Sequence, residues 1–146
     1  MKYGIDALQY ATLRAKLSAP LKRDAHADSD CRYHVRSLYF DAFKNTALFE
    51  KLAGVRHRKK YRIRVYNFDA SYVKPERKTK LGQYINKECT TLSRDDIERI
   101  MVGSISFLAG SKNPFLRQFY TYCRCELLRP VVIVDYYCEA YPPSNQ

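Results

Sequence analysis

Tryptophan is absent from this 146-residue chain, glycine occurs five times, and acidic residues number 15 against 26 basic ones. The few glycines build no phosphate-cradling loop. There is no Walker A sequence, no Gly-x-Gly-x-x-Gly and no Gly-x-Ser-x-Gly. His-Glu-x-x-His is also missing, and His26, His34 and His57 are scattered without metal-ligand spacing. The five cysteines (Cys31, Cys89, Cys123, Cys125 and Cys138) are odd in number and include no Cys-x-x-Cys pair. That pattern argues for reduced thiols and against a zinc site. No apolar run approaches the ~20 residues of a transmembrane helix, and no signal-peptide pattern is present, so a cytoplasmic protein is expected.

The shortage of acid leaves a formal net charge of +11. Polyanions are the natural partners of such a chain: nucleic acid, nucleotides, polyphosphate or an anionic membrane surface. An apolar fraction of 46% excludes a mostly disordered chain, and the length suits one domain with an ordinary core. Of the aromatic residues 13 are Tyr and seven are Phe. That bias suits strands and half-buried surfaces, where a ring packs and its hydroxyl finds a partner.

Helical spacing of Tyr10, Leu13 and Leu17 after the N-cap candidate Asp6 predicts a helix ending near Ser18, before Pro20. Residues 22–31 read as a loop, and residues 32–41 alternate like a strand. A short helix is expected over 43–52, with Ala47, Leu48 and Leu52 as its apolar positions and Gly54 beyond its C-cap. Three strands follow at about 56–67, 71–80 and 83–91. Pro75 inside the second argues for an edge position or a bulge. Ser93 and Asp96 start a helix closed by Gly103. Asn113-Pro114 opens another, with Leu116, Phe119, Tyr120, Cys123 and Leu127 at helical spacing. A last strand is expected over 131–141. Short turns and lone helices between strands, without βαβ alternation, predict an α+β fold with an antiparallel sheet.

The chemistry concentrates in residues 56–66. At the two-residue period of a strand, Arg56, Arg58, Lys60, Arg62 and Arg64 share one face, while Tyr61, Ile63 and Val65 share the other. In the next strand Lys74, Glu76, Lys78 and Lys80 share a face, and Lys87 follows in the third. A solvated lysine-rich face explains any one such strand. Three in succession, with arginine at tight spacing, point to a groove or barrel interior for phosphates, which arginine recognises in bidentate fashion. Glu76 reads first as a counter-ion among these cations. Its other reading is a ligand for a divalent metal beside phosphates.

These residues carry a family resemblance. Ser37-Leu38-Tyr39-Phe40-Asp41, Glu50-Lys51-Leu52-Ala53-Gly54 and Arg58-Lys59-Lys60-Tyr61-Arg62-Ile63-Arg64-Val65-Tyr66, in this order, resemble the VTC domain. That is the polyphosphate polymerase domain within the triphosphate tunnel metalloenzyme (CYTH-like) superfamily. Glu76-Arg77-Lys78-Thr79-Lys80 is similar to the family's Glu-x-Lys strand, Lys87 to the basic residue of the next strand, and Lys2-Tyr3 to a pair before the first helix. Residues 117–141 resemble the later helix and the strand ending Glu-Ala-Tyr. The resemblance covers nearly the whole chain.

It implies an antiparallel β-tunnel with Lys2, Arg62, Arg64, Lys78 and Lys87 as phosphate-binding residues, and Arg58 and Lys80 beside them. It also implies a divalent metal (Mn or Mg), with Glu76 as a candidate ligand, and transfer of the terminal phosphate of ATP to polyphosphate. The family continues for several strands beyond the position of Gln146. Residues 1–146 are therefore expected to form the N-terminal portion of the domain and an incomplete tunnel. As such, the chain is expected to bind ATP, polyphosphate or another triphosphate with little or no catalysis. Two other readings stand beside this one. One is a triphosphate hydrolase or cyclase of the same superfamily, whose N-terminal Glu-x-Glu-x-Lys motif is absent here. The other is a basic nucleic-acid-binding module; any such polycation binds nucleic acid weakly and without sequence preference at low salt.

Overall fold

The computed structural model describes residues 3–21 and 32–141, apart from the side chains at 70 and 72. The chain divides into two compact units, residues 35–136 and residues 1–34 with 137–146. The elements run α1 (Ala7–Ser18), β1 (Tyr33–Asp41), α2 (Thr46–Leu52), β2 (His57–Tyr66), β3 (Asp69–Leu81), β4 (Tyr84–Cys89), α3 (Arg94–Met101), α4 (Pro114–Cys125) and β5 (Arg129–Cys138). The strands form one open antiparallel sheet in the order β4-β3-β2-β1-β5, giving the expected α+β class. It does not close into a barrel: β4 and β5 are its two edges.

The register follows from the turns. The β2–β3 hairpin turns at Asn67 and Phe68, both at positive φ, as a tight primed turn requires. The β3–β4 hairpin turns at Gly82, whose φ of 61° suits a residue without Cβ. Tyr61 then faces Phe40 on one side and Arg77 on the other, and Arg62 faces Tyr39 and Glu76.

One face of the sheet is apolar and covered by helices. Phe40, Tyr61, Ile63 and Val73 pack with Leu92, Ile100 of α3, Leu108 of a 3-10 turn at Ser106–Leu108, and Phe115, Leu116, Phe119 and Cys123 of α4. Their spacing on α4 gives the helix its buried stripe. Asn113 caps that helix by accepting from the Phe115 N–H at 2.9 Å, and Pro114 occupies its first turn. Phe119 meets Phe40 edge-on at 5.5 Å between ring centroids and lies 5.5 Å from the Tyr61 ring. Burying such a ring is worth about 1.5–3 kcal/mol. Burial also pushes the Cys123 thiol up to about 12, so it behaves as a small apolar group.

The structure corrects four sequence expectations. Pro75 is buried in β3, an interior strand, and not at a sheet edge, while the alternative of a bulge is met beside it, where the β2–β3 register shifts between the Arg64–Lys74 and Tyr66–Asp69 pairs. Its carbonyl accepts from Thr90 N–H on the β4 side, beyond the last β3–β4 pair, Glu76 with Cys89. Pairing resumes in the same register at Val73 with Leu92, so the donor that proline lacks leaves a single gap opposite Thr90. The α2 helix begins at Thr46 and not at residue 43, because Asn45 is left-handed (φ 53°). The Asp41 carboxylate accepts from the N–H groups of Ala47 and Leu48 at 2.8 and 3.1 Å. Leu48 and Leu52, expected to pack, are exposed. Leu127 is also exposed, at φ 50° beyond the end of α4.

In the smaller unit, Asp6 caps α1 through a reciprocal capping box with Gln9. Glu139 gathers the unit's polar groups: it accepts from Tyr10 Oη at 2.6 Å and Arg32 Nε at 3.1 Å, with Arg14 Nε at 3.4 Å. The expected loop at 22–31 lies outside the described residues.

Candidate functional site

The second face of the sheet carries the charge. β2 contributes Arg58, Lys60, Arg62 and Arg64, β3 contributes Lys74, Glu76, Lys78 and Lys80, and β4 contributes Lys87; cross-strand pairing aligns them on one side. Residues directly opposite have Cβ atoms about 4.5–5.5 Å apart. Four of the pairs are cation against cation: Arg58 with Lys80, Lys60 with Lys78, Arg64 with Lys74, and Lys78 with Lys87. One pair, Arg62 with Glu76, joins opposite charges.

Glu76 is 2% exposed and sits at the centre of this face. Arg62 approaches its Oε2 with both Nε and Nη2 at 2.7 Å. Lys87 Nζ lies 2.9 Å and Arg64 Nη1 3.7 Å from its Oε1. Burial alone pushes this carboxyl upward. The hydrogen bonds from Lys87 and Arg62 and the charges of Arg62 and Arg64 outweigh it and hold the group below the usual carboxylate range. The arginines are oriented by hydroxyls. Arg62 Nη1 donates to Tyr39 Oη at 3.2 Å, and Arg64 donates from Nη1 to Tyr66 Oη at 3.1 Å and from Nε to Ser37 Oγ at 3.4 Å. Burial disfavours the Arg64 charge, but the Tyr66 hydrogen bond and Glu76 raise its pKa overall.

Lys60 completes the site and is the member that a motif-based choice of ligands omits. It is half-buried between Arg58 and Arg62, and burial together with Lys51 and Arg58 lowers its pKa. Strand parity is the signal that finds it. Lys78 and Lys87 are exposed, while Arg58 and Lys80 are half-buried. Arg58 and Lys80 also line a cleft of about 450 Å³ at one end of the sheet. Arg58, Arg62, Arg64, Lys78, Lys80 and Lys87 therefore share one surface. Lys2 lies outside the described residues. Arg56 precedes β2 and is exposed.

The donor set of this face is poor in oxygen ligands for a metal. Both oxygens of Glu76 are engaged by cations, and among the described residues no group of three or more His, Cys, Asp or Glu side chains converges. A divalent ion needs several oxygen ligands, so the described residues do not by themselves fit one. They fit an anion. Planar guanidinium groups fixed by phenols, with ammonium groups beside them, suit the oxygens of phosphate.

Among the described residues no helix is long and apolar enough to cross a membrane. No curated protein matches the chain. The family model of the VTC domain matches residues 1–145. That match spans nearly the whole chain, and the chain belongs to the VTC domain family.

Proposed function

We propose that the basic sheet face binds a chain of phosphates, as ATP, triphosphate or polyphosphate, and that this binding is the protein's part in polyphosphate chemistry. The observation that carries the reading is the set of four like-charge cross-strand pairs around a single opposite-charge pair. Like charges directly opposite destabilise a sheet by an amount of the same order as favourable pairs stabilise it, roughly 0.2–1 kcal/mol each. A domain of marginal stability gains nothing structural from four of them. A linear polyanion reverses the sign of every one at once, since each phosphate sits between two cations.

In this reading Arg62 and Arg64 are the principal ligands, held in place by Tyr39, Tyr66 and Ser37. Lys60, Lys78 and Lys87 supply charge along the bound chain. Glu76 spaces the cations and yields part of its contacts when phosphate arrives. Phosphoryl transfer is a separate step that needs a metal, and no residue is assigned to it.

The test is competition at physiological salt. Tripolyphosphate is expected to raise the melting temperature and to displace a short single-stranded RNA from the protein. Displacement of tripolyphosphate by RNA at equal charge concentration would favour the nucleic-acid reading instead. Incubation with ATP and separation of long-chain polyphosphate, cyclic nucleotide and inorganic phosphate would distinguish polymerase, cyclase and hydrolase.

A further inference from the structure

The cations of the basic face do not share Glu76 evenly. That carboxylate serves Arg62, Arg64 and Lys87, and two cross-strand pairs stand outside the cluster: Lys60 with Lys78 and Arg58 with Lys80. At the rise of a strand, these pairs extend the face by about 13 Å from Arg62 towards the start of β2. The α2 helix adds to the same end. Burial, Lys51 and Arg58 together lower the Lys60 pKa, so the Lys51 charge reaches this cluster as well. Tyr39 and Asp41 act in the opposite direction and are outweighed. The Asp41 oxygens are engaged by the N–H groups of Ala42, Ala47 and Leu48.

A phosphate chain has a matching asymmetry. An internal phosphate carries a single negative charge. A terminal phosphate ionises a second time near pH 6 and carries about −1.5 to −2 at neutral pH. Attraction scales with the product of the charges. The doubly charged group therefore gains most beside Lys60 and Arg58, and the internal phosphates suit the cluster where Glu76 already offsets one charge. The side chains differ in the same sense. Arg62 and Arg64 present planar forks held by phenols, whereas the outer end is mostly lysine, whose compact ammonium groups can gather around one tetrahedral dianion.

We propose that the end of the basic face formed by Arg58, Lys60, Lys78 and Lys80, with Lys51 beside it, is a subsite for the dianionic terminal phosphate of a chain whose internal phosphates lie on Arg62 and Arg64. The inference rests on the phosphate-chain reading of this face and adds that the protein distinguishes the end of a chain from its middle. A bound chain is then held in one direction, with its free end towards the start of β2.

Calorimetric titration of the intact chain at physiological salt and about pH 7.5, where the terminal phosphate is dianionic, tests this. Inorganic tetraphosphate, with two free ends, is compared with its diadenosine diester, which has the same phosphates and no free end. The free-ended chain is expected to bind at least about tenfold more tightly. Lys60→Met and Lys80→Met are each expected to bring that ratio down to about two or less, by weakening the free-ended chain alone. Lys74→Met removes one charge from the opposite end of the face, where Lys74 pairs with Arg64, and is expected to weaken both ligands and keep the ratio. Far-UV circular dichroism checks that each variant is folded. A ratio near one in the unchanged chain overturns the proposal. So does a ratio that Lys60→Met and Lys80→Met leave intact, or one that falls as far in Lys74→Met. If neither ligand binds, the phosphate-chain reading of the face fails and the subsite fails with it.

Discussion

Glu76 and Arg77 are neighbours in β3, both buried, both ionic, and they point to opposite faces of the sheet. Arg77 sits under the helices and is balanced. Its Nε donates to Glu88 at 2.8 Å, and its Nη1 to Gln118 and to the Tyr61 hydroxyl. Its cross-strand partner Glu88 carries the opposite charge. Glu76 is the reverse case, one carboxylate shared by Arg62, Arg64 and Lys87, with further cations on every side. Arg77 is satisfied by its own protein, whereas the cations around Glu76 are left in surplus. A buried charge becomes evidence of function when the protein's own counter-charges do not balance it.

The largest expected effect comes from breaking the unbalanced side. Glu76→Ala leaves three cations without their shared carboxylate and should cost about 3–5 kcal/mol in urea unfolding. Tripolyphosphate should then recover more stability in this variant than in the unchanged protein. The Glu76 carboxyl is held below its ordinary 4.5. Its contribution is thus fully present above that pH and is lost as pH falls through the lower folded-state value. Glu76→Gln should flatten that acid limb of the stability profile.

Arg77→Ala should cost less, about 1–3 kcal/mol, because Glu88 is part-exposed and can return to water. Tripolyphosphate should not restore this loss, since Arg77 is not on the basic face. Lys78→Glu sharpens the contrast by reversing sign. It turns the pairs with Lys60 and Lys87 into attractive ones, so the protein should gain roughly 0.5–1 kcal/mol while binding tripolyphosphate more weakly.

The smallest effect is a proton count. Burial and the nearby Lys51 and Arg58 put the Lys60 pKa below its ordinary 10.5. Its charged form is therefore penalised in the folded protein, and that penalty is relieved as pH rises through the folded value towards 10.5. A bound polyanion raises the pKa again, so binding at alkaline pH, well above the phosphate pKa of about 6, should take up protons. Titration calorimetry in two buffers of different ionisation enthalpy reads this uptake, and Lys60→Met should remove it.

Much of the site could be read in the sequence because a strand's period is fixed. Alternation alone aligns Arg58, Arg62 and Arg64, and a tight turn carries the register to Glu76 and Lys78. Local chemistry likewise reveals Asp6, Ser93 and Asn113 as helix starts. What escaped depends on contacts distant in sequence. Asp41 sets the start of α2 from six residues away, and the Pro75 carbonyl meets Thr90 where β4 has ended. Glu139 joins Arg32 across 107 positions. Exposure of β5 was equally hidden, because its run of Val131 to Val134 has the pattern of a strand buried on both faces.

Calorimetric titration of tripolyphosphate at physiological salt tests the central claim most directly, with two double variants of equal charge loss. Arg62→Ala/Arg64→Ala removes the proposed ligands. Arg94→Ala/Arg99→Ala removes the same charge from α3, off the basic face. The first pair is expected to abolish measurable binding in a chain that keeps its circular dichroism, while the second binds like the unchanged protein. Equal weakening by both pairs would mean that net charge attracts the anion and that no site on the basic face holds it.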